Sequence, residues 1–169
     1  MKLVVCPASG LEAALHAHRP QAAISLISPD AVLPDLPIGE SRRLVLRFND
    51  ITEPREGLVA PHADLIHRLL TFEADLPQEA TLLLHCYAGI SRSPAAAYIL
   101  ACARSGPGQE ETLAQGLRAL SPECTPNSLM VRLADDILQR GGEMVRAVEA
   151  IGRGAEAFEG STVTLYVAP

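Results

Sequence analysis

At 169 residues the chain has room for one hydrophobic core of ordinary size and not for two, so a single domain spanning 1–169 is expected. Hydrophobic residues make up 48% and charged residues 20%, the composition of a globular protein, and with no Trp the core falls to Leu, Ile, Val and Ala. The net charge of −6 argues against nucleic acid or an anionic membrane as the principal partner, because both reward a basic face; any anion site must be local.

In chain order, residues 3–5 read as a short apolar strand, and Ser9 is placed to cap a helix that ends near Arg19 and Pro20. His16 and His18 fall on different faces of that helix and read as solvated side chains. Residues 22–28 form a second apolar strand, after which Pro29, Pro34 and Pro37 make residues 29–41 an irregular surface loop. Residues 42–48 form a third strand ending in Asn49 and Asp50. Ligands of α/β sheets gather at the carboxyl ends of strands, so Asp50 is expected to face a crevice there.

Residues 61–72 carry Leu65, Ile66, Leu69, Leu70 and Phe72 at helical spacing, as a crossover helix packing on the sheet would, with His62 and His67 at the surface. Residues 81–86 open with an aliphatic run suited to a parallel strand covered on both sides. A helix is expected over 93–104, another over 109–120 and a turn over 121–128. Asn127 or Ser128 caps a helix over 129–139, and a last helix covers 143–151. Residues 161–168 alternate like a strand, either at a sheet edge or as an arm exchanged between subunits. The pattern predicts an α/β fold whose central, mostly parallel sheet of four to five strands is flanked by helices.

Cys6, Cys86, Cys102 and Cys124 are widely spaced, and Met1 to Cys6 is too short an apolar run for a signal core or a membrane span. A reducing cytoplasm with free thiols is the expectation. Cys102 reads as buried and inert, while Cys6 or Cys124 is available as a resolving partner for an oxidised Cys86.

The chemistry concentrates between the strand at 81–86 and the helix at 93–104. Gly89 breaks the strand pattern, and Pro94 suits the first turn of a helix. Backbone N–H groups converging at a helix amino terminus make an anion site. Six residues from Cys86 to Arg92 let the backbone curl around a tetrahedral oxyanion, and the planar fork of Arg92 closes the ring by holding two oxygens at once. The same donors stabilise a thiolate at Cys86, an anion at the same focus, and so prepare it to attack phosphorus.

The stretch His85-Cys86-Tyr87-Ala88-Gly89-Ile90-Ser91-Arg92-Ser93 resembles the signature of the cysteine-dependent protein tyrosine phosphatase superfamily, and its Ala-Gly-Ile-Ser-Arg-Ser wording is most similar to the dual-specificity branch. The resemblance covers roughly residues 42–140 and suggests a bacterial source. It implies hydrolysis of phosphomonoesters through a phosphocysteine, without metal or other cofactor, on a phosphorylated protein or peptide, with phosphotyrosine favoured. In that scheme Cys86 is the nucleophile, and Arg92 with the N–H groups of Tyr87, Ala88, Gly89, Ile90 and Ser91 binds the phosphate. Asp50 is the general acid, Ser93 supports the departing thiolate, and His85 orients the loop. The extra residues at 52–61 keep Glu53 and Glu56 open as competitors for the acid. Pro126 and Asn127 resemble a turn that buttresses the phosphate loop in the same branch. Two other readings stand beside this one: a phosphoinositide or small-molecule phosphatase on the same loop, and an inactive module that binds phosphopeptides. The oligomeric state is left open.

Overall fold

The computed structural model describes residues 1–167. Its centre is a five-stranded sheet in the order β3-β2-β4-β1-β5, built from β1 (Lys2–Pro7), β2 (Ala22–Ile27), β3 (Arg43–Arg47), β4 (Thr81–Cys86) and β5 (Val163–Tyr166). The first four are mutually parallel and β5 runs antiparallel to β1, which agrees with the fold class expected from the sequence. β4 lies in the middle, buried on both faces, and this explains its unbroken aliphatic run.

Alternation along the strands divides the core in two. On one face Leu82, Leu84 and Cys86 pack with Tyr98, Ile99 and the helices α2 (Ala63–Ala74), α3 (Arg92–Ser105), α4 (Glu110–Leu120), α5 (Ser128–Ile137) and α6 (Glu143–Ile151). On the other face Val4, Cys6, Ala23 and Leu83 pack with Leu11 and Ala14 of α1 (Leu11–His18) and with Leu36. α3 is buried from Arg92 to Cys102, and its run of Ala95, Ala96 and Ala97 lets it sit close to the sheet. A buried ion pair steadies its far side: Arg140 reaches Glu110 at 3.1 Å and also donates to the Cys102 carbonyl. No helix of the described residues is long and apolar enough to cross a membrane.

Two local expectations need correction. Ser9 does not cap α1; a 3-10 turn, Ala8–Gly10, intervenes, and the Ser9 hydroxyl donates instead to Glu159 Oε2 at 2.6 Å. The last strand is shorter than residues 161–168 and pairs with β1 of its own chain, with Ala168 lying outside the described residues. Asn127 does cap α5, accepting from the Met130 N–H at 3.1 Å.

Candidate active site

β4 delivers Cys86 to the carboxyl edge of the sheet, and α3 begins six residues later with Arg92. The loop between them is held largely from outside, the Ser91 carbonyl also accepting from Ala95 N–H of the helix that follows at 3.0 Å. The Tyr87 carbonyl accepts from Ala8 N–H (3.0 Å), Ala88 from Gly160 (2.7 Å), Ile90 from Thr125 (2.8 Å) and Ser91 from Asn127 (3.3 Å). In a planar trans peptide the C=O and the following N–H point in opposite directions. Fixing these four carbonyls outward therefore turns the N–H groups of Ala88, Gly89, Ser91 and Arg92 inward. Among the described residues none of these N–H groups donates to another part of the protein. Gly89 is required on two counts: its φ is +70°, and a Cβ there would lie 2.7 Å from the Pro7 nitrogen.

Around this nest stand the side chains singled out in the sequence. Cys86 Sγ and Ser93 Oγ are 3.1 Å apart, both buried. The Arg92 guanidinium is 5% exposed; its Nη1 donates to the Phe48 carbonyl at 3.1 Å and lies 3.4 Å from Ser28 Oγ. Among the described residues its buried Nε has no hydrogen-bond acceptor, so one edge of the fork is left for an anion. Asp50 closes the site from the loop after β3: Oδ1 accepts from Ser91 Oγ (2.7 Å) and from Asn127 Nδ2 (2.8 Å), and Oδ2 lies 3.8 Å from Arg92 Nε. Glu53 and Glu56 are exposed and make no such contact. His85 points the opposite way, sharing a 2.7 Å hydrogen bond with Ser25 Oγ through Nε2. Burial lowers its pKa to about 4, so the imidazole is neutral at pH 7.

Three of the four cysteines are unsuited to nucleophilic work. Burial, aided by the nearby Cys86, pushes the Cys6 thiol up to about 12; burial also takes Cys102 to about 12 and raises Cys124. Cys6 belongs to the core cluster on the face opposite the one that holds Cys86.

The site includes residues that sequence reasoning missed. A cavity of about 320 Å³ ends on His85, Cys86, Tyr87 and Arg92, and its wall is Ile27, Ser28, Ala31, Val32 and Pro34. Residues 29–41, expected only as a surface loop, thus contribute the apolar wall. Their signal was present, since they leave the carboxyl end of β2 on the same sheet edge as Asp50. Arg47 holds this wall, its Nη1 donating to the carbonyls of Pro29 (2.8 Å) and Ala31 (2.9 Å) and approaching that of Ser28 (3.4 Å). Asn127 serves three functions at once, capping α5, binding Asp50 and holding the Ser91 carbonyl.

No protein-family model and no curated protein matches the chain. Solved structures with the same fold include that of DUSP15, with a TM-score of 0.65 at 19% identity over 92% of this chain and 94% of that one. The PTP-2 phosphatase of Cydia pomonella aligns at 0.59 with 19% identity, covering 79% of this chain and 84% of its own. The Yvh1 phosphatase domain from Chaetomium thermophilum aligns at 0.56 with 15% identity, over 84% and 93% respectively.

Proposed function

We propose that the chain is a cysteine-dependent phosphatase that cleaves phosphomonoesters of protein side chains, phosphotyrosine foremost, through a phosphocysteine on Cys86. The observation that carries this reading is the loop itself: four outward carbonyls, the inward N–H groups they imply, and Cys86 within 3.1 Å of Ser93 at its focus. A dianionic phosphate docks on those N–H groups and on the free edge of Arg92. The Cys86 thiolate then attacks phosphorus in line. The bond from phosphorus to the ester oxygen breaks, and Asp50, entering this step protonated, gives its proton to the leaving oxygen. In the second step water attacks the phosphocysteine and yields its proton to the Asp50 carboxylate. The P–S bond breaks, and the Ser93 hydroxyl donates to the thiolate that departs.

The surroundings favour an aryl phosphate on a protein. The cavity wall of Ile27, Ala31, Val32 and Pro34 suits an aromatic ring, and Tyr87, 73% exposed, stands at the rim. Arg92 is the one cation among the described side chains lining the cavity, whereas a headgroup bearing several phosphates calls for more. The likeness in fold to protein tyrosine and dual-specificity phosphatases agrees with this reading.

Trapping the intermediate tests it. Ser93→Ala should slow the second step and let phosphate accumulate on Cys86 after acid quench, visible by mass spectrometry of the Cys86 peptide. Turnover of an aryl phosphate with no phosphate ever found on that peptide, in wild type or variant, counts against the covalent route.

A further inference from the structure

The segment that follows α6 lies outside the stretch carrying the family resemblance, yet it touches the catalytic loop at its tightest point. Gly160 is buried, and its N–H donates to the Ala88 carbonyl at 2.7 Å. A Cβ built on Gly160 would sit 2.8 Å from the Gly89 oxygen and 3.2 Å from the Gly89 carbonyl carbon, closer than packed atoms tolerate. The backbone on either side is fixed to the turn before α5. Ser161 N–H donates to the Glu123 carboxylate, Gly154 N–H to Thr125 Oγ1 at 3.0 Å, and Ala155 N–H to the Pro122 carbonyl at 2.9 Å. That same turn supplies Thr125 and Asn127, which hold the Ile90 and Ser91 carbonyls. Glu123 is 8% exposed. Burial alone would raise its carboxyl pKa, but the donors from Ser161 and Ser121 outweigh burial and leave it below the usual range, as expected of a carboxylate working as an acceptor.

We infer that Gly160, secured by Glu123, is a positioning residue for the phosphate loop: it sets the peptide planes on both sides of Gly89 and thereby aims the Gly89 and Ile90 N–H groups at the bound oxyanion. The hydrogen bond to the Ala88 carbonyl fixes the first plane. Contact of Gly160 with the Gly89 carbonyl fixes the second, which among the described residues has no hydrogen bond of its own from an outside N–H. Glycine is needed at 160 because any side chain would push that carbonyl inward and turn the Ile90 N–H away. β5, paired with β1, anchors the segment from its far end. This inference rests on reading the loop as a phosphate site, and the C-terminal segment then becomes part of the catalytic framework.

The test uses the full chain and inorganic phosphate, whose affinity is measured by calorimetry beside kcat and KM for an aryl phosphate and the melting temperature. Gly160→Ala should weaken phosphate binding and lower kcat/KM by about 10–10²-fold, the scale of losing an aligned oxyanion donor. The control is Gly116→Ala, in α4, where an added Cβ meets nothing within 4 Å; it should leave phosphate affinity, kcat and KM unchanged and the melting temperature equal or higher, since Ala favours a helix interior over Gly. Should Gly160→Ala not fold, Glu123→Ala decides, since it releases the segment without a clash; a threefold to tenfold weaker phosphate affinity is expected. Affinity within twofold of wild type in a folded Gly160→Ala, or in Glu123→Ala if only that variant folds, overturns the inference. If the wild-type chain binds phosphate but turns nothing over, the catalytic reading fails and the affinity ratios still judge the role of Gly160. A wild type that binds no phosphate overturns both.

Discussion

The two loops that meet at Cys86 are held in contrasting ways. The phosphate loop is gripped at the carbonyls of Tyr87, Ala88, Ile90 and Ser91 by backbone donors from Ala8 just after β1, the α4–α5 turn and the C-terminal segment. The cavity wall at residues 28–34 depends largely on the exposed side chain of Arg47, and Val32 at its tip is 91% exposed. Rigid placement belongs where charge develops in the transition state, because dipoles fixed in advance need no reorganisation during reaction. An adaptable wall belongs where the substrate differs from one molecule to the next. On the proposed reading, the first loop carries the chemistry and the second the recognition.

The largest effect short of removing the nucleophile is expected at Asp50, which spans the boundary between the two. Asp50→Asn should lower kcat for an aryl phosphate by about 10²–10⁴-fold while Glu53→Gln and Glu56→Gln change it less than twofold, as steady-state kinetics will show. A loss below tenfold in Asp50→Asn would move the acid to one of the two glutamates.

Beneath the rigid loop, His85 should make stability depend on pH. Its folded pKa of about 4 lies below the unfolded value of 6.5, so between these limits the unfolded chain binds the extra proton. Stability should therefore fall as pH drops from about 6.5 to about 4, by up to about 1.4 kcal/mol per pH unit from this group. Urea melts across that range should show the slope in wild type, and a shallower one in His85→Gln.

At the adaptable wall the smallest effect is expected. Arg47→Ala should raise KM about threefold to tenfold with kcat changed less than twofold, the scale of losing exposed hydrogen bonds from a charged donor. A fall in kcat equal to the rise in KM would show instead that the wall helps to place the reacting phosphate.

The same contrast explains what could be read from the residues alone. Cys86, Gly89, Arg92 and Ser93 were legible because consecutive residues build the nest, and its chemistry dictates their types and spacing. Asp50 was legible because strand ends in parallel sheets share an edge. Ser28, Ala31 and Val32 leave that edge too, but their part in the site is a matter of shape. Gly160 gave no signal at all. A glycine before a strand reads as a turn, and its role lies in a main-chain hydrogen bond to a loop far away in sequence. Ser9 shows the converse: a good capping residue by type, it was drawn into a contact with Glu159 while a 3-10 turn began the helix.

The most direct measurement is phosphate release from an aryl phosphate by the reduced protein, with a chelator present, across pH 5–8, beside Cys86→Ser. Turnover that persists in chelator and is abolished in Cys86→Ser, while inorganic phosphate still binds the variant, is the result expected of a cysteine phosphatase. Steady hydrolysis by Cys86→Ser, or phosphate and phosphopeptide binding by the wild type with no turnover, would contradict it.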